Sequence, residues 1–139
     1  MKKLRVALGS DDGKSILPDH MGQAKDFYVF DISEDGSSVL VDVRKNTSPK
    51  ESRHGLDEKR VSVMEILEDC DVFLASRMSP NFVKLRDRTK FQPVISKISD
   101  IEESMKLLAA NFDHLWGLVD QRRRGARPKE IPVLKGDQS

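Results

Sequence analysis

Phe27-Tyr28-Val29-Phe30-Asp31-Ile32, then Glu34-Asp35-Gly36-Ser37, then Val39-Leu40-Val41-Asp42-Val43 is the stretch whose reading decides the fold. Aromatic and β-branched side chains fill both flanks, and the acidic, glycine-containing cluster between them is turn chemistry. The flanks are therefore predicted to pair as an antiparallel hairpin. Upstream, Leu4-Arg5-Val6-Ala7-Leu8 alternates apolar positions and runs into Gly9-Ser10-Asp11-Asp12-Gly13, which reads as a first strand entering a loop.

Downstream, periodicity is lost from Arg44 to about Glu58, and loops of that length in compact domains are functional or mobile. Val61, Met64, Leu67 and Cys70 recur every third residue, predicting a short helix with these side chains inward. Asp71-Val72-Phe73-Leu74-Ala75 has the continuous apolar character of a buried strand. Ser79-Pro80 supplies a cap and a first-turn proline for a helix to about Arg88. Phe91 to Ile95 reads as a strand in which Pro93 implies an edge position or a start after the proline. Ser99-Asp100-Ile101-Glu102 reads as a capping box opening one helix whose stripe is Ile101, Met105, Leu108, Phe112 and Leu115. Past Trp116-Gly117 the pattern fades into the basic, proline-interrupted run Arg122 to Lys129. The expectation is a domain over residues 1–116 and a flexible tail over 117–139.

The 139 residues suit one domain, and 24 Lys plus Arg against 23 Asp plus Glu leave a net charge of +1, which gives nucleic acid no general electrostatic hold. Apolar residues at 37% and charged residues at 34% exclude a disordered chain and a membrane protein, and no run approaches the roughly 18 apolar residues of a spanning helix. Met1-Lys2-Lys3 leads into a short strand rather than a signal-peptide core, so the cytoplasm is expected. The single cysteine, Cys70, excludes an intramolecular disulfide and an all-thiolate metal site from one chain. A monomer or weak dimer is expected.

A hairpin followed by strands alternating with helices implies a mixed α/β sheet, its later strands parallel and its ligand site beyond their carboxyl ends. Three segments belong there: about 9 to 25, 44 to 58 and 76 to 80. They carry His20-Met21-Gly22, His54-Gly55, Arg77 and Met78. Imidazole is the side chain most used for borderline transition metals, glycine lets the backbone approach a bulky guest, and Met21 or Met78 could add thioether sulfur. Two histidines without thiolates are better suited to gripping a preassembled cofactor than to caging a bare ion. The alternative is that both are surface histidines without a partner. Cys70 reads as a small buried apolar residue, and His114, late in its helix, as structural. Asp11 and Asp12 read as turn formers rather than a nuclease pair, phosphate-loop signatures are absent, and no catalytic constellation emerges. The arginine run is either a solubilising tail or a docking arm for an acidic partner.

Leu4-Arg5-Val6-Ala7-Leu8-Gly9-Ser10-Asp11-Asp12-Gly13, Asp19-His20-Met21-Gly22-Gln23-Ala24, Phe27-Tyr28-Val29-Phe30 and Glu68-Asp69-Cys70-Asp71-Val72 together resemble the dinitrogenase iron–molybdenum cofactor biosynthesis family, over about residues 4 to 115. The resemblance implies a ribonuclease H-like three-layer α/β fold with a five-stranded mixed sheet and no nuclease activity. It implies a non-enzymatic carrier or insertion chaperone for an iron–molybdenum or other iron–sulfur cluster, working between a cluster donor and a recipient protein, as nitrogenase accessory factors do. His20 matches the family's His-x-Gly histidine, associated with cofactor binding, and His54 falls where many members place a further histidine or cysteine. Two departures stand out. His-Met-Gly replaces the usual His-Phe-Gly, and Ser76-Arg77-Met78-Ser79 replaces a glycine-rich turn, so that Arg77 rather than a backbone cradle could meet an anionic cluster.

Overall fold

A computed structural model describes residues 1–48 and 56–136. Strands β1 (Lys3–Ser10), β2 (Asp26–Ser33) and β3 (Ser38–Lys45) precede helix α1 (Leu56–Ile66). Then come β4 (Val72–Ala75), α2 (Pro80–Arg88), β5 (Gln92–Ser96), α3 (Ile101–Ala110), α4 (Phe112–Arg123) and the short β6 (Val133–Leu134). They form one sheet in the order β3-β2-β1-β4-β5-β6, in which β2 runs against the other five. The predicted hairpin is β2–β3, with a bulge at the Val29/Phe30 step that leaves Val41 unopposed.

Strand alternation separates two cores. Leu4, Val6 and Leu8 face α3 and α4 with Val72, Leu74 and Val94, whereas Ala7, Phe27, Val29 and Phe73 face α1 and α2. Helices therefore cover both faces of the sheet. Val63 of α1 and, just past its end, Leu67 and Cys70 are buried, Met64 packs partly against the same cluster, and Val61 is 45% exposed. Of the predicted stripe Val61 alone points outward, because a strict three-residue spacing drifts around a helix of 3.6 residues per turn. Ser79 caps α2 as expected, its hydroxyl accepting from the Phe82 amide. The α3 cap is Asp100 rather than Ser99, its carboxylate accepting from the Glu103 amide.

Four sequence expectations are corrected. The sheet has six strands rather than five, because Val133–Leu134 adds to β5. The single long helix is two, broken at Asn111 with φ −105° and ψ 22°. Phe112 and Leu115 are buried on the same side as Ile101 and Met105, so one stripe spans the break. Pro93 lies inside β5, between β4 and β6. Ile95 and Lys97 donate to Pro132 and Leu134 carbonyls, so the missing Pro93 amide, of the same parity, points past the start of β6 and costs the β4 ladder nothing.

Most consequential, residues 117–136 are no loose tail. Leu118, Val119 and Arg122 of α4 are buried, and Arg122 is 2% exposed. Its Nε donates to Gln92 Oε1 at 2.7 Å, Nη1 to the Arg86 and Thr89 carbonyls at 2.9 and 3.0 Å, and Nη2 to the Pro128 carbonyl at 3.3 Å. Burial pulls this guanidinium down to about 10, still cationic at neutral pH. Gln92 Nε2 in turn donates to Glu130 O at 3.0 Å, so one polar knot ties α4, β5 and the closing segment together. Its neighbours are also engaged: Arg123 bonds Asp71 at 3.0 Å and lies over Trp116, and Arg124 pairs with Asp120. A domain boundary at 116/117 would cut through α4.

The same closing segment is fastened by Asp87, which accepts from Arg86 at 2.9 Å and Lys129 at 3.0 Å and is held down to about 2 by Arg86 first and Lys129 second. A carboxyl depressed on folding contributes stability that is complete above its unfolded value, 3.8, and is lost as pH falls toward 2. The urea midpoint is expected to drop through that window, and less steeply in Asp87→Asn. Matching acid profiles in the two proteins would remove Asp87 from this role.

Candidate functional site

β1, β3 and β4 run in the same direction, so their carboxyl ends lie at one end of the sheet. Register places Ser10 beside Asp26 and Asp26 beside Lys45 there. The described parts of the three predicted segments do meet, and their ties are specific. Ser76 Oγ donates to the Leu17 carbonyl at 2.8 Å, and Arg77 Nη2 meets Asp19 Oδ1 at 3.0 Å, joining the turn after β4 to the loop after β1. Asn46, just past β3, donates its side-chain amide to the carbonyls of Gly22 and Ala24 at 2.9 and 2.8 Å.

The loop after β1 is shaped by its acids. Asp12 accepts from the Ser15 and Lys14 amides, in that order of effect, and these hold its carboxyl below the ordinary range. Asp11 accepts from the Lys25 amide at 2.8 Å. Asp12 is turn chemistry, as its position suggested, whereas Asp11 ties the loop to the start of β2. The loop then packs down: Ile16 enters the core under α3, and its amide bonds the Ser99 carbonyl. It ends in a 3-10 turn, Met21–Gln23, with His20 at its N-terminal shoulder in extended backbone (φ −61°, ψ 136°). The turn sits directly on Gly9 of β1. A Cβ built on Gly9 would lie 2.6 Å from Ala24 Cβ and 2.9 Å from the Met21 carbonyl oxygen, so glycine here makes room for a backbone.

The predicted ligands fare differently. His20 is half-buried, and its ring has no hydrogen bond or ion pair among the described residues. His114, by contrast, is bonded to Glu130 at 2.7 Å. Met21 is 6% exposed, its side chain packed among core residues of the α1/α2 face, so its thioether is withdrawn from any guest. Gly22 contributes a carbonyl already taken by Asn46. Met78 is 48% exposed at the turn after β4. Arg77 is engaged with Asp19, both side chains being about half exposed. His54 and Gly55 lie outside the described residues. Sequence reasoning missed Asn46, which is one asparagine in a polar stretch without periodicity.

The sequence model of the family described as dinitrogenase iron-molybdenum cofactor matches residues 2–111. The chain belongs to that family. No curated protein matches it at a significant level. The family match runs from β1 to the end of α3, so it contains the whole His20 end of the sheet, while α4 and β6 lie beyond it. The family's name ties it to an iron–molybdenum cofactor, and the donor set can be tested against that guest. Among the described residues there is no group of three or more His, Cys, Asp or Glu placed to hold a metal ion. A lone imidazole on a braced turn suits one terminal contact to a cluster that arrives already assembled. Cys70 offers no thiolate: it is buried before β4, and burial first, then Asp69, pushes it up to about 12. Among the described residues no helix is long and apolar enough to cross a membrane.

Proposed function

We propose that this protein is a non-enzymatic carrier or insertion chaperone for an iron–sulfur-based metallocluster, the iron–molybdenum cofactor or a precursor, which it receives from a donor protein and passes to a recipient. The observation that carries this reading is the state of His20. It is an imidazole without a protein partner among the described residues, on a turn seated on Gly9 of β1 and bonded by Asn46 just past β3, in a chain of the dinitrogenase iron–molybdenum cofactor family. An unprotonated ring nitrogen so placed has a lone pair to offer an iron or molybdenum atom at the edge of a cluster. Arg77, with Met78 beside it, would contact the anionic rim, and His54 is the candidate second imidazole.

A carrier needs capture that reverses. One or two protein ligands make the complex weaker than a full cage, and the cluster keeps its own bridging sulfides throughout. Nothing is oxidised or reduced, and only ligand exchange at a terminal position is required. The sheet order, with β2 opposed to its neighbours, supports placing the fold in the ribonuclease H-like class. The carboxylates of its first loop are occupied by backbone amides, which supports a binding role over hydrolysis.

Anaerobic titration with extracted iron–molybdenum cofactor and with a synthetic, thiolate-ligated four-iron cluster tests the reading, followed by visible absorption and metal analysis. His20→Ala is expected to weaken binding at least about tenfold, equivalent to about 1.4 kcal/mol, while melting is nearly unchanged because the ring makes no hydrogen bond or ion pair among the described residues. Undiminished affinity in His20→Ala would take His20 out of the site.

A further inference from the structure

The geometry points to Asn46 as the positioning residue that sets the reach of His20, an inference that rests on the carrier reading for its functional consequence but not for its structural one. Every hydrogen-bonding position of the Asn46 amide is used. The two N–H bonds go to Gly22 O at 2.9 Å and Ala24 O at 2.8 Å, and Oδ1 accepts from the Ser48 amide at 3.0 Å and the Ser48 hydroxyl at 2.5 Å. Its backbone amide adds a fifth bond, to Lys25 O at 3.2 Å. An asparagine saturated in this way has one orientation.

Its two acceptors straddle the 3-10 turn: Gly22 is the middle residue, and Ala24 follows its end. The turn's own bonds are weak in number, Gln23 N–H to His20 O and Ala24 N–H to Met21 O. Three residues of 3-10 helix do not hold themselves together in water. Among the described residues, the Met21 side chain anchors it in the core, Gly9 lies beneath it, where β1 admits the Met21 carbonyl and the Ala24 methyl, and Asn46 bonds it from the side. His20 is the shoulder of that turn and has no side-chain bond to steady it among the described residues, so its ring direction is inherited from the turn. Asn46 touches neither the ring nor the guest, and acts through the backbone that carries the ring.

Asn46→Asp tests this directly. It keeps size and the acceptor toward Ser48 but removes both donors and sets a carboxylate oxygen against two carbonyls. Without any cluster present, amide hydrogen exchange at Gln23 and Ala24 is expected to accelerate at least about tenfold relative to amides of β1 and β4. With the four-iron cluster as probe, affinity is expected to fall about 10- to 100-fold, the range seen when groups that orient a metal ligand are removed. In a His20→Ala background the same change should add nothing, because the ring whose direction it sets is gone. Equal, additive losses in both backgrounds, or unaltered exchange at Gln23 and Ala24, would overturn the inference. If His20→Ala alone binds normally, His20 leaves the site and the functional consequence drawn for Asn46 falls with it, while the exchange result still judges the structural one. Asn46→Ala, which removes the donors without adding charge, repeats both arms should the aspartate fold poorly.

Discussion

Arg122→Ala is expected to lower folding stability by about 3–5 kcal/mol, read as a large drop in the urea midpoint, against total stabilities of about 5–15 kcal/mol for domains of this kind. Arg122 is 2% exposed, and its guanidinium donates to four acceptors: the Gln92 side chain and the carbonyls of Arg86, Thr89 and Pro128. Alanine removes all four bonds at once and opens a cavity beneath the segment that leads to β6. Each acceptor left dry costs about 1–3 kcal/mol, and partial entry of water keeps the sum below four times that. Arg122→Lys is expected to fall between the two, because a single ammonium cannot reach acceptors disposed around a planar fork. A loss under about 1 kcal/mol in the alanine variant would mean that the knot of Arg122, Gln92 and Glu130 is ornamental. For the same reason a chain cut after Gly117 would lose Leu118, Val119, Arg122 and Leu134 from the core, so it reports on folding before it reports on partners.

Gly9→Ala is expected to cost about 1–3 kcal/mol, the usual range for overpacking, and to damage cluster binding by more than its stability cost explains. The added methyl would meet Ala24 Cβ at 2.6 Å and the Met21 carbonyl oxygen at 2.9 Å. Gly9 is flanked by buried Leu8 and Ser10 and pairs with Phe27 of β2, so it is the 3-10 turn that has to lift. Lifting it moves the shoulder that bears His20 and strains the two bonds from Asn46. Urea melts beside cluster titrations separate the effects: the expected pattern is a modest midpoint shift with affinity down about tenfold or more. Pairing Gly9→Ala with Ala24→Gly removes the nearest clash and should recover much of both. An affinity equal to that of the parent chain in Gly9→Ala would show that the turn is not what presents the ring.

Much of the architecture was legible because it depends on local pattern. The aromatic and β-branched content of 27–32 and 39–43, the Ser79-Pro80 cap and the apolar run 72–75 each determine an element without help from distant residues. The C-terminal third was not legible, because its stability comes from afar. Arg122 sits in a run of arginines and looks solvated, and only its position opposite Gln92, thirty residues earlier, makes it a core residue. β6 is two residues long and exists through β5. The Asn111 break left no mark, since the buried stripe continues across it. At the site, the convergence of three segments followed from strand direction alone. Which methionine was available did not: Met21 and Met78 are equivalent as letters, and burial alone tells them apart.

The Arg77–Asp19 tie differs in kind from the others around His20. At 3.0 Å, with side chains 53% and 55% exposed, it is a pair of the type worth at most about 1 kcal/mol, so closed and open arrangements differ in population by no more than about fivefold. The rim of this end of the sheet can thus exchange its internal partner for an arriving anion on the timescale of side-chain rotation, while the turn behind it stays still. Loading and unloading would then proceed at rates set by the guest's own bonds rather than by any opening of the protein.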